Sequence, residues 1–98
     1  MAHAQWTPSA EEDLIEIAYW IAVQSQRPLT ARRIVVEIKD KAGRYAATPR
    51  IGQRHPDLPD GWFYFRHKRW VIVYQPRDDG IDVLRVVDAT RDFSRLFP

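Results

Sequence analysis

Hydrophobic and polar positions change period along the chain. Gln5-Trp6 reads as the end of a short first strand. Leu14, Ile17, Ala18 and Ile21 then recur at helical spacing. Thr7-Pro8 supplies a start for that helix, with Thr as N-cap and Pro in the first turn. Ser9 with Glu12 offers a rival capping box two residues later. The spacing predicts an end near Val23 to Gln26. A second helix is expected from Pro28 or Thr30, with Ala31, Ile34, Val35, Ile38, Ala42 and Tyr45 as one apolar stripe. Arg33, Glu37 and Lys41, and likewise Asp40 and Arg44, sit at four-residue spacing on its other faces. Pro49 stops it.

Residues 49–61 read as a loop carrying Pro49, Gly52, Pro56, Pro59 and Gly61. Three strands follow, at 62–66, 69–75 and 81–87. The first two join at His67-Lys68, the last two through Pro76-Arg77-Asp78-Asp79-Gly80. The order is β-α-α-β-β-β. It predicts an α+β fold in which a helical hairpin packs on a small, mainly antiparallel sheet. Trp70, Ile72 and Tyr74 alternate with Val71, Val73 and Gln75. Strict alternation in the last strand sets Ile81, Val83, Arg85 and Val87 against Asp82, Leu84, Val86 and Asp88. Both sheet faces are thus apolar, whereas a solvated face would be polar. The second face is expected to be covered by the tail, with Phe93, Leu96 and Phe97, or by a partner.

Composition narrows the function. With 98 residues and no cysteine, the expectation is one domain over residues 1–98, with neither disulfides nor cysteine-ligated metal. No secretory signal or membrane-spanning run is visible, which predicts a cytoplasmic protein. His3, His55 and His67 are too scattered for a metal site, and the glycines form no phosphate loop. The expected cofactor and metal count is none.

Charge is uneven. Residues 1–26 carry −4, residues 27–55 carry +6, and the remainder balances. Arginine outnumbers lysine twelve to three. It suits bidentate contact with carboxylate or phosphate, so an acidic protein segment and a nucleic acid both fit as partners. Arg54, Arg66, Arg69, Arg85 and Arg91 are the candidate anion-binding residues. Arg85 lies in an apolar strand and needs a carboxylate partner, such as Asp88 or Asp92, or an outside ligand. Trp20 lies off the first helix's apolar stripe, near Asp13 and Glu16. Such a residue either anchors a partner or packs beneath a loop or tail.

The stretch Thr7-Pro8-Ser9-Ala10-Glu11-Glu12-Asp13-Leu14-Ile15-Glu16-Ile17 resembles the first helix of ParE-type toxins in the RelE/ParE superfamily. Pro49-Arg50-Ile51-Gly52 and Arg54-His55-Pro56-Asp57-Leu58 resemble that family's loop. Trp70-Val71-Ile72-Val73-Tyr74 and Ile81-Asp82-Val83-Leu84-Arg85-Val86-Val87 resemble its last strands, and Arg91-Asp92 with Leu96-Phe97 its tail. The resemblance implies a toxin of a two-gene toxin–antitoxin system. It would act on DNA gyrase, be neutralised by a ParD-like antitoxin, and meet operator DNA only through that antitoxin. Trp20, Arg66, Trp70, Tyr74, Arg85 and Phe93 are then the expected antitoxin contacts.

RelE-like relatives are instead ribosome-dependent mRNA endonucleases, which need an acid–base pair as well as phosphate-binding groups. Arg66 and Arg85 would suit a phosphate, and Lys39 and Lys41 lie on the second helix. However, the tail position where ribonuclease members often place His or Tyr reads Asp88-Ala89-Thr90, and no Tyr follows Tyr74. Many ParE-type toxins also carry His at the Asp88 position. The balance favours a protein inhibitor over a nuclease, with a non-toxic antitoxin-binding relative as the third reading.

Overall fold

The computed structural model describes residues 2–90. Strand β1 (His3–Trp6) leads into helix α1 (Pro8–Tyr19), and helix α2 (Pro28–Ala47) follows. Strands β2 (Phe63–His67), β3 (Trp70–Arg77) and β4 (Gly80–Asp88) complete the described part. The sheet order is β1-β4-β3-β2. β1 runs parallel to β4, and the other pairs are antiparallel. This is the expected order of elements and the expected sheet type.

Thr7 caps α1. Its Oγ1 accepts the Ala10 N–H at 3.2 Å and donates to the Leu84 carbonyl at 3.1 Å. The rival box at Ser9 is not used, because Thr7 alone also reaches β4. Helical backbone continues past Tyr19, as the spacing requires, but as a π turn over Trp20–Gln24. The wider turn closes with the Ser25 N–H on the Trp20 carbonyl at 3.2 Å. Gln26, at φ 55°, then reverses the chain into α2.

The first turn keeps its two residues but shifts by one, and the second is tighter than the sequence pattern indicates. Lys68-Arg69 and Asp78-Asp79 form the reversals, so Arg69 and His67 exchange places between strand and turn relative to expectation. Lys68 adopts φ 56° and Gly80 φ 142°. A Cβ on Gly80 would stand 1.8 Å from the His3 carbonyl, so the β1–β4 register requires glycine there.

The core lies between the helices and one sheet face. Leu14, Ile17, Ile34 and Ile38 meet Phe65, Ile72, Tyr74 and Val83. The opposite face holds a smaller cluster of Leu58, Val71, Val73 and Val87, joined by Trp62 and Tyr64. Loop residues Leu58 and Trp62 therefore supply cover for the second face, a contribution not anticipated from the sequence. The proposed tail cover by Phe93, Leu96 and Phe97 lies outside the described residues.

Strict alternation fails in β4. Val73 pairs with Arg85 but Tyr74 pairs with Val83, which leaves Leu84 as the extra residue of a β-bulge. The bulge shifts the phase by one. Ile81 and Val83 face the helices together with Val86, whereas Val87 joins the second cluster. Arg85, opposite Val73, is thus separated from Ile81 and Val83.

Candidate functional site

The bulge and the π turn shape one groove. It runs between α1 and the part of β4 beyond Val83, where β1 no longer pairs. Its volume is about 620 Å³. Ile15 and Tyr19 form its outer wall and remain 65% and 62% exposed. Trp20 stands at its end, 47% exposed. A second hollow of about 540 Å³, toward the helix-hairpin turn, shares Trp20, Arg69 and Trp70 with it.

The floor is built from ion pairs. Arg85 Nε donates to Asp13 Oδ2 at 2.8 Å, and Nη2 donates to Oδ1 at 3.2 Å. Asp13 Oδ2 also accepts the Val86 N–H at 2.9 Å. The Asp13 hydrogen bond strengthens the positive charge of Arg85, raising its pKa. Arg85 does have a carboxylate partner, but it is Asp13 of α1 and not Asp88. Asp92 lies outside the described residues.

Asp88 is engaged elsewhere. Arg69 binds it through Nη2, and through Nε at 3.2 Å. Thr90 donates to Asp88 Oδ1 from its backbone N–H at 3.0 Å and its hydroxyl at 2.9 Å. The Thr90 N–H and then the Arg69 contact hold the Asp88 carboxyl below its ordinary range. The Arg69 guanidinium carbon lies 5.1 Å from the Trp70 ring centroid and 5.7 Å from that of Trp20. This cation–π contact orients the exposed indole.

The remaining expected residues lie apart. Trp70 is almost wholly buried and offers the groove only its rim. Tyr74 is 0% exposed and presents no surface to a partner. It stacks near Phe63, meets Tyr45 edge-on, and donates its hydroxyl to the Pro49 carbonyl at 2.6 Å. Burial pushes the Tyr74 hydroxyl up to about 12, although the Gly52 backbone opposes the shift. Arg66 is exposed at the far margin of the sheet, where Nε donates to the Lys68 carbonyl at 2.9 Å. Arg54 lies over the Phe63 ring at 5.6 Å. The four described arginines therefore do not form one cluster: Arg69 and Arg85 share the groove, and Arg54 and Arg66 belong to the β2 side. Arg91 and Phe93 lie outside the described residues.

Sequence reasoning missed three groove residues. Ile15 and Tyr19 were legible in principle, since they stand four apart and off the buried stripe. Asp13 carried no such signal, because its partner lies 72 positions away. Chemically the groove offers apolar side chains, two ion pairs and the carboxylate of Glu16. Among the described residues no cluster of three or more His, Asp or Glu side chains is placed to hold a metal ion. No helix there is long and apolar enough to cross a membrane.

Two helices on one face of a four-stranded mixed sheet, with a half-apolar groove at the sheet's margin, define a small α+β fold. The same fold occurs in a solved structure described as a chromosomal ParDE TA system from P. aeruginosa. The TM-score is 0.71 at 19% identity, over 90% of this chain and 96% of that one. No curated protein shows significant sequence similarity. A sequence model of the family described as ParE toxin of type II toxin-antitoxin system, parDE, matches residues 4–93. The chain belongs to this ParE toxin family.

Proposed function

We propose that this toxin inhibits DNA gyrase in the cytoplasm and that a ParD-like antitoxin neutralises it by laying an arm in the α1–β4 groove. The observation that carries the antitoxin half is the groove's composition. Ile15, Tyr19 and Trp20 are exposed beside a strand margin that β1 leaves uncovered. An apolar arm that folds on docking would bury them. Trp20 is the anchor in this reading, Arg69 and Trp70 hold it, and Arg85 with Asp13 sets the groove floor.

The gyrase half rests on family membership and on a groove whose two arginines, Arg69 and Arg85, are already paired with Asp88 and Asp13. The toxin would thus act by binding, as a single domain and without a cofactor. A supercoiling assay on relaxed plasmid with ATP tests it. Dose-dependent inhibition with trapped linear DNA is the expected result. Ribosome-dependent mRNA cleavage without any effect on gyrase would replace this reading with the endonuclease one. Absence of growth arrest on induction would point to a non-toxic antitoxin-binding relative.

A further inference from the structure

We infer that the toxin itself binds the backbone of duplex DNA, through a basic face along α2 and the β2 margin on the side away from the groove. Operator contact would then not depend on the antitoxin alone. The inference stands independently of the gyrase reading.

The face is defined by unpaired cations. Arg33, Lys41 and Arg44 follow one stripe of α2. Lys41 Nζ donates to the Arg66 carbonyl at 2.7 Å, which brings that stripe against β2. The chain then turns through Pro49–Ile51, and Gln53 pairs with Tyr64 alongside β2. This carries Arg50 and Arg54 to the same margin. Among the described residues, none of Arg33, Lys41, Arg44, Arg50, Arg54 and Arg66 has a carboxylate within ion-pair distance. By contrast, Arg69, Arg77 and Arg85 are all paired.

Two acids of α2 share this stripe, against the six cations of the face, and leave it net positive. They are Glu37 and Asp40. Glu37 is held by His67 Nε2 at 2.9 Å, with Lys68 Nζ at 4.0 Å. From Arg33 to Arg44 the helix spans roughly 16 Å at its usual rise of about 1.5 Å per residue. That length follows several successive phosphates of a duplex.

Chemistry selects the duplex over other polyanions. Binding of single strands relies on exposed aromatic platforms for unstacked bases. The large aromatic side chains exposed among the described residues, Tyr19 and Trp20, line the groove instead. An acidic protein arm would need a cluster of apolar anchors; the groove has one in Ile15, Tyr19 and Trp20, whereas the basic margin offers Ile51 beside Arg50 without an aromatic neighbour of like exposure. A surface of arginines without aromatics suits sequence-independent phosphate contact.

The test is fluorescence anisotropy of the purified chain with a 20-base-pair duplex of arbitrary sequence. With four to six phosphate contacts, affinity is expected to fall about 10²- to 10³-fold between 50 and 200 mM salt. The double variant Arg44→Gln/Arg50→Gln removes two exposed cations and should lower the log–log salt slope by about 1.8. Arg27→Gln/Arg32→Gln makes the same charge change at the other end of α2 and should shift affinity less than about threefold, as expected for unengaged cations. No binding at 50 mM salt would overturn the proposal. So would equal effects of the two double variants, or tighter binding to a single-stranded RNA or a poly-glutamate peptide. In the supercoiling assay, a parallel relaxation reaction with topoisomerase I separates DNA masking, which blocks both enzymes, from gyrase inhibition.

Discussion

Asp13 and Arg85 meet 72 positions apart in the sequence, and their two-point contact fastens α1 to the strand margin that β1 does not reach. Asp13 also takes the Val86 N–H, so it satisfies a backbone donor that a neighbouring strand would otherwise pair. Asp13→Ala leaves both donors without this acceptor. The variant should lose about 1–3 kcal/mol, read as a lower midpoint in urea at unchanged slope. Asp13→Asn retains an acceptor and should lose less.

Trp20 is half exposed and separate from the main core. Trp20→Ala should therefore change the thermal midpoint little, while antitoxin affinity falls by about 2 kcal/mol or more. Titration calorimetry against the cognate antitoxin gives the answer. Unchanged affinity would remove Trp20 from that interface.

Gly52 is required by its neighbour. A Cβ there would stand 2.1 Å from the Tyr74 hydroxyl oxygen. Gly52→Ala should destabilise the fold by about 1–3 kcal/mol, the usual scale of overpacking. Tyr74→Phe removes the nearest obstructing atom and leaves the ring carbons at 2.8 and 2.9 Å, a partial relief. The double variant should consequently be more stable than the sum of the single effects implies, and chemical denaturation of all four proteins measures that coupling.

Acid and alkali act at different places. The depressed pKa of Asp88 means that the unfolded chain takes up its proton first as pH falls. The stability Asp88 contributes is full above its ordinary value of 3.8 and fades as pH drops through the lower folded value. The melting-temperature gap between the parent and Asp88→Asn should narrow below about pH 4. Tyr74 has the opposite sign. Its hydroxyl is raised from 10.0 to about 12, so its contribution is full below pH 10 and is lost as pH climbs toward 12. Absorbance at the tyrosinate band should show Tyr74 ionising late, in a phase that Tyr74→Phe lacks.

Most elements were legible because their apolar periods are long and their stops are strong. The α2 stripe from Ala31 to Tyr45 ends at Thr48-Pro49, and Thr7-Pro8 opens α1. Local signals could not reveal the Leu84 bulge, since alternation on either side of it looks regular. Nor could they tell α from π turning at Trp20–Gln24, where the extra residue per turn is absorbed by packing. The site was less legible than the fold. Arginines can be counted in a sequence, but their partners are set by tertiary approach. Arg69 and Arg85 find Asp88 and Asp13, while Arg54 and Arg66 face another way.

The parallel pairing of β1 with β4 has a consequence for the order of events during synthesis. His3 to Trp6 are made well before their strand partners, Gly80 to Val83. The hydroxyl that caps α1 likewise binds the carbonyl of Leu84. Loop closure over such a separation is entropically costly and slow. A ribosome that has completed β3 has produced a helical pair and a hairpin, but neither the groove floor nor the Asp13–Arg85 tie. The α1–β4 groove therefore takes shape only after β4 has emerged, and its Asp13–Arg85 tie is among the later contacts of the fold to form.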